Sequence, residues 1–381
     1  MKLIHRMLAA AGLGLAFCGL VSAQGQPAVK VGTIFPLSGG AGPQGQHVTS
    51  AIRAMATLIN ESGGVLGRNI EIVARDDEST PAVGVSRATE LVSAGVSVVI
   101  EGWNSPVTLA MQPVLARAGL LDITAVSKAD PILSGEGNPL AIRLNSSNSQ
   151  DGAVIANYIA NTAKAKRIAF LTENDAYGNG AQESIENELR KLGYAYEKVA
   201  EEKFPFAQAD FRVALTNVRA ARPDITLAIN ANEGLGMPAI IRQARQARLP
   251  GLLVSAVGTV APSVIEVAGE AANGLVGADI YFPMVEPFAS NPANQRFVAR
   301  MQQMFQYPPD KFMALGALSL QVWAMAANEV KSLDRELIAK RIRGGSFKGT
   351  LMGDVGFEAN GQLRSRHYLF TVQDRKMVVQ P

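Results

Sequence analysis

Cysteine is almost absent from this 381-residue chain, and the single one, Cys18, lies near the N-terminus. Without the first 23 residues the chain has no thiol. That excludes disulfides and thiolate metal sites and leaves core burial to hold the fold. Histidine is scarce too: beyond His5 only His47 and His367 remain, far apart in sequence. No H-E-x-x-H, no G-x-S-x-G and no cysteine nucleophile is present, so the usual hydrolytic and metalloprotease constellations are missing. The acidic pairs Asp76-Asp77 and Glu201-Glu202 are neighbours on strand-like segments, where adjacent side chains point to opposite faces; they read as strand-end or solvated charges. No sign of charge dominates. Lys and Arg total 36 against 33 Asp and Glu, a net +3, and Lys2 and Arg6 belong to the N-terminal segment. Such a balance gives no electrostatic reason to expect nucleic acid as a partner.

Long hydrophobic runs are also lacking, with one exception. Residues 7–21 are apolar and uncharged, preceded by Lys2 and Arg6 and followed by Val21-Ser22-Ala23. A basic start, a short apolar stretch and small residues at the end make a secretory signal, with cleavage expected after Ala23. The run is too short to span a bilayer comfortably. Phe17 stands before Cys18, where lipid attachment wants a small residue, so export into the periplasm without a lipid anchor is expected.

What remains is long enough for two domains. From Val29 onward strands and helices alternate. Residues 29–35 form a short apolar strand. Val48, Ile52, Met55 and Ile59 then repeat at helical spacing over 47–61, and Gly63-Gly64 and Gly67 turn the chain. Strands at 69–74, 96–100 and 120–126 alternate with helices at 81–95 and 107–118. After the polar stretch 145–149 the rhythm restarts, with strands at 167–172, 194–200, 224–230 and 252–256 and helices between them. Long helices at 294–305 and 315–331 and strands at 353–357 and 367–372 finish the chain. Two βα runs of similar length predict an α/β protein with two doubly wound parallel sheets, helices covering both faces of each.

In such sheets ligands bind at the loops after the carboxyl ends of strands. Here those loops are 36–45, 102–106, 126–129, 174–178, 230–233 and 257–259. They are rich in Ser, Thr, Asn and Gly, whose hydroxyls and backbone N–H groups suit a carboxylate. Ser105, before Pro106, is a candidate anchor or simply an N-cap. Trp103 offers a flat apolar wall or ordinary core packing, and Tyr177 a ring and hydroxyl or a helix-start packing residue. Asn230 opens another of these loops. Gly40-Ala41-Gly42-Pro43-Gln44-Gly45 matches G-x-G-x-x-G between a strand and a helix. However, Asp76 and Asp77 lie about thirty positions further on rather than the roughly twenty a dinucleotide site wants, and Pro36 and Pro43 lengthen the turn. A nicotinamide-dependent enzyme is therefore the weakest reading, and no cofactor, metal or catalytic residue is assigned.

Several segments in order resemble one family. They are Val29-Lys30-Val31-Gly32 leading to Pro36-Leu37-Ser38-Gly39, and Ile59-Asn60-Glu61-Ser62-Gly63-Gly64-Val65-Leu66-Gly67-Arg68. Asp76-Asp77-Glu78-Ser79-Thr80-Pro81, Asp175-Ala176-Tyr177-Gly178, Ile241-Arg242-Gln243-Ala244-Arg245 and 353–361 follow. No piece is specific alone; their order and spacing are. Together they resemble the branched-chain amino-acid-type periplasmic solute-binding proteins of ABC importers. That resemblance implies two Rossmann-like lobes of the type I periplasmic binding fold joined by a three-crossing hinge. Lobe 1 would take 28–146 and 278–358, and lobe 2 147–277 and 359–381, with a small carboxylate or amino acid held between them. It further implies a monomer serving an inner-membrane ABC permease, not an enzyme; a sensor on the same fold is the alternative. By position Ser105 looks like the family's carboxylate-holding hydroxyl, Ser127 with Lys128 like the second clamp, and Tyr177 like the lobe 2 tyrosine. The family places an acid in the loop 257–259 to meet a ligand ammonium, whereas Val257 stands there, and a buried ammonium without an anion is costly. Either Glu101 or Glu233 replaces that carboxylate, or the ligand has no ammonium, with Lys128 as its counter-ion; the amine-free ligand is preferred.

Overall fold

The computed structural model describes residues 26–134 and 138–380. The expected signal segment and Cys18 lie outside them. Among the described residues no helix is long and apolar enough to cross a membrane.

The first half alternates β1 (Val29–Phe35), α1 (Gly42–Glu61), β2 (Ile70–Asp76), α2 (Pro81–Ser93), β3 (Val98–Glu101), α3 (Ser105–Arg117), β4 (Leu121–Thr124), α4 (Pro131–Ser134) and β5 (Ala141–Arg143). These strands form one parallel sheet in the order β2-β1-β3-β4-β5. β3 and β4 are buried along their whole length, as strands covered by helices on both faces must be.

The second half repeats the plan with α5 (Asn148–Asn157), β6 (Arg167–Glu173), α6 (Ala176–Lys191), β7 (Glu197–Phe204), α7 (Arg212–Ala221), β8 (Ile225–Ile229), α8 (Gly236–Gln246), β9 (Leu252–Ser255), α9 (Pro262–Ala268) and β10 (Val276–Asp279). The parallel part runs β7-β6-β8-β9-β10, the same order as the first sheet. The chain then returns through α10 (Pro292–Phe305), α11 (Lys311–Val330), α12 (Arg335–Ile342) and the hairpin of β11 (Ser346–Thr350) with β12 (Gly353–Gly356). Finally β13 (Tyr368–Gln373) adds antiparallel to β10, and β14 (Lys376–Val379) antiparallel to β13, at the edge of the second sheet.

In both sheets the strand order reverses beside the first strand. The crevice therefore opens after β1 and β3 in one lobe and after β6 and β8 in the other. α11 is buried over most of its length against α1. A Cβ on Gly316 would stand 2.6 Å from Val48 Cγ1, so the helices pack at glycine distance.

β10 pairs with β9 and β13, so residues 276–279 belong to the second sheet. Residues 359–363 stay with the first sheet: Arg143 bridges to Gln362, whose side-chain amide donates to the Asn145 carbonyl at 2.7 Å. β10 is short and polar at its end, and β5 has three residues, so neither has a legible hydrophobic period.

Candidate functional site

The first wall is built at the end of β3. Gly102 takes φ +99°, and a Cβ there would sit 2.9 Å from Thr124 Cγ2; this turn releases the chain into α3. Asn104, not Ser105, occupies the N-cap position, and Ser105 is the first helical residue. The Ser105 oxygen accepts the backbone N–H groups of Lys128 and Ala129, each at 3.2 Å. With its acceptor sites used, the hydroxyl proton remains to be donated. Ser127 shares a 2.9 Å hydrogen bond with the Thr108 hydroxyl. Trp103 is buried with its ring centroid 4.9 Å from that of Phe312, which α11 delivers from far along the chain.

The second wall comes from the ends of β6 and β8. Glu173 is buried; its Oε2 accepts the Ala231 N–H at 2.8 Å, while its Oε1 has no partner. Asp175 caps α6 by accepting the Gly178 N–H at 2.9 Å. Gly178 is required for this tight turn, since a Cβ would lie 2.0 Å from the Glu173 carbonyl oxygen. Tyr177 follows with a buried hydroxyl lacking a partner, and Glu233 is buried with its Oε2 unpartnered. Burial, with Asp175 beside it, pushes the Glu173 carboxyl up to about 9. Burial likewise raises Glu233 well above the carboxylate range, although Lys311 draws it partly back. Both walls face a cavity of about 30 Å³, lined by Trp103, Ser105, Ser127, Lys128, Phe312, Glu173, Asp175, Tyr177, Glu233 and Thr259 among others.

Two buried lysines hold the walls together. Lys128 Nζ donates to Asp151 Oδ2 at 2.6 Å and to the Val257 carbonyl at 2.8 Å. Asp151 Oδ1 lies 2.9 Å from His367 Nε2. Burial alone would raise Asp151, but Lys128 and His367 outweigh it and hold the carboxyl at about 2. Lys311 Nζ donates to the next carbonyl, Gly258, at 3.0 Å and sits 3.7 Å above the Phe312 ring.

Of the residues singled out in the sequence, Trp103, Ser105, Ser127, Lys128 and Tyr177 meet at this cavity; Glu101, Asn230 and Val257 are not among those lining it. Glu101 lies under the floor, its carboxyl accepting from Thr124 at 2.5 Å and Thr108 at 2.7 Å. Burial, then nearby Asp122, raises its pKa well above the usual range. The Asn230 side chain accepts the Asn232 N–H at 2.7 Å and braces its own loop. Val257 turns its side chain into the apolar cluster with Ile155, Tyr177 and Ile185, leaving only its carbonyl for Lys128. Lys128 lines the cavity, but its ammonium is bound to Asp151 rather than free for a ligand. Sequence reasoning missed Glu173 and Phe312. A carboxylate closing an otherwise apolar strand was a usable signal for Glu173; Phe312 has none.

The G-x-G-x-x-G turn is not a phosphate cradle. A Cβ on Gly45 would sit 1.8 Å from the Pro36 carbonyl oxygen, so this glycine lets α1 pass close to the end of β1. Gly40 packs against the 232–234 loop of the other lobe, where a Cβ on Gly234 would stand 2.9 Å from its oxygen. No pyrophosphate has room there. Among the described residues no group of His, Cys, Asp or Glu is arranged to hold a metal ion.

A family model described as periplasmic binding protein matches residues 28–376. The chain is 29% identical over 339 residues to the Leu/Ile/Val-binding protein of Citrobacter freundii, covering 88% of each. In structure it is similar to a leucine-binding protein from Thermotoga maritima, with TM-score 0.81, 24% identity and coverage of 93% of this chain and 98% of that one. A solute-binding protein of an ABC transporter from R. palustris in complex with benzoate superposes equally well, with TM-score 0.81, 24% identity and coverage of 92% and 95%.

Proposed function

Because the chain belongs to the periplasmic binding protein family, we propose that it is the solute receptor of an ABC importer and that its solute is a small carboxylate bearing an amino group. One observation carries the choice of solute. The cavity sets the Ser105 hydroxyl on one wall, with Ser127 beside it donating to Thr108, and the buried carboxyls of Glu173 and Glu233 on the other. A hydroxyl donor suits a carboxylate; buried carboxyls without a cation beside them suit an ammonium. This reverses the preference for an amine-free ligand drawn from Val257 alone, because Glu233, with Glu173, supplies the missing anion.

On this reading the moving bodies are 28–146 with 280–363, and 147–279 with 368–380. They close over the solute, and Lys128 and Lys311 clasp the carbonyls of Val257 and Gly258 across the cleft. The receptor works as an exported monomer in the periplasm, hands its cargo to an inner-membrane permease and releases it chemically unchanged. The R. palustris protein with benzoate favours one alternative, an aromatic acid stacked on Trp103. Calorimetry with L-amino acids and their deaminated analogues separates the two. Amino acids are expected to bind and the analogues to fail; tighter binding of the analogues would reject the proposed solute, and recovery of altered ligand would reject the carrier role.

A further inference from the structure

Resting on that reading, we infer that the solute carries a second cation on its side chain: a diamino- or guanidino-carboxylate rather than a branched aliphatic amino acid.

The argument is one of charge against charge. Three carboxyl groups, those of Glu173, Asp175 and Glu233, line one cavity. Among the described residues none is paired with a protein cation. Glu173 and Asp175 accept backbone N–H groups, from Ala231 and Gly178, and share a side-chain hydrogen bond with each other, and Glu233 Oε2 accepts nothing from the described residues. The two lysines near enough to matter are committed elsewhere. Lys128 is bound to Asp151 and the Val257 carbonyl, and Lys311 to the Gly258 carbonyl with Asp279 at 3.9 Å. Asp310, the other acid facing Lys311, caps α11 by accepting the Met313 N–H at 2.9 Å. The three cavity acids are not arranged to share a metal ion.

A simple amino acid brings one carboxylate for the Ser105 wall and one ammonium for the acid wall. Burial favours the protonated form of both Glu173 and Glu233, so a single ammonium can ionise one and leaves the other neutral. A second cation ionises the other as well and gains a second charge-assisted contact. The tilted rings of Trp103 and Phe312 suit a methylene stem and the face of a guanidinium, which stacks on aromatic planes more readily than it sheds water elsewhere.

The test is calorimetric titration of the whole chain with L-arginine, L-ornithine, L-leucine and benzoate, repeated on Glu173→Gln and Glu233→Gln, with melting temperatures confirming that each variant folds. L-arginine or L-ornithine is expected to bind at least roughly tenfold more tightly than L-leucine. One substitution should abolish that preference, and the other should weaken both amino acids alike. L-leucine binding as tightly as the cationic amino acids overturns the second cation and leaves the amino-acid reading standing. Binding of benzoate alone, or of nothing in the panel, overturns both.

Discussion

The Lys128 ammonium lies 2.6 Å from the Asp151 carboxylate, and both groups are buried where the chain first crosses from one lobe to the other. The pair joins the loop after β4 to the first turn of α5, and His367 on the third crossing completes it. Removing one partner leaves a buried charge without compensation. Lys128→Met is therefore expected to cost about 3–5 kcal/mol of unfolding free energy in urea titration. Lys128→Met combined with Asp151→Leu should recover much of that loss, because the pair then disappears together. A double variant as unstable as the sum of the singles would show that the two do not interact.

The same carboxylate sets an acid limit on stability. Asp151 is held at about 2 in the folded chain, against 3.8 ordinarily, facing Lys128, His367 and Arg143. Its contribution is complete above pH 4 and is lost as the pH falls toward 2. That depression corresponds to about 2 kcal/mol. Unfolding curves from pH 5 down to 2 should show this loss, and Asp151→Asn should flatten that part of the profile.

Solute binding should release protons. Without solute Glu173, with its carboxyl at about 9, carries a proton at neutral pH, and burial raises Glu233 in the same direction. Asp175 faces the first; Lys311, Asp310, Asp279 and Lys128 surround the second. An arriving ammonium favours the ionised form, so affinity should strengthen as pH rises from 7 toward 9, by up to about tenfold per unit for each proton released. Calorimetry in phosphate and in Tris, whose ionisation heats differ, reads the proton count directly. Equal apparent enthalpies in the two buffers would mean that neither carboxyl changes its protonation.

The sheets themselves were readable because their strands are apolar runs punctuated by glycine and by helical spacing; β3, β4 and β6 follow this rule closely. Ser105, Ser127 and Tyr177 were within reach for the same reason, since topology alone assigns loops at strand ends to the crevice. The boundaries at β5 and β10 were not readable. Their few residues gain their place from neighbours such as Gln362 and Tyr368, which lie more than eighty residues away in sequence. Phe312 escaped because a phenylalanine opening a buried helix looks like core until α11 is seen to end at Trp103. Glu101 misled in the opposite way. It sits at the right distance from Ser105 along the chain, but the side chains of a strand alternate between faces, and its carboxyl lies under the floor with Thr108 and Thr124.

That last distinction can be tested with two substitutions only four positions apart. Ser105→Ala removes the hydroxyl proton aimed at the cavity and strips the Lys128 and Ala129 N–H groups of their shared acceptor. A hydrogen bond to a charged group is worth about 1.5–3 kcal/mol, so affinity for every carboxylate ligand should fall by roughly ten- to a hundredfold. Glu101→Gln changes a carboxyl whose protonated form burial favours and that touches hydroxyls rather than solute. Its affinity should stay within about twofold of the unmodified chain, since a distant neutral replacement alters no ligand contact. Its melting temperature should hold or rise at alkaline pH, where the native carboxyl would otherwise be forced to ionise in a dry site. If Glu101→Gln weakened binding as much as Ser105→Ala, the acid under the floor would have to reach the solute, and the assignment of the amino-group partner to Glu173 and Glu233 would have to be abandoned.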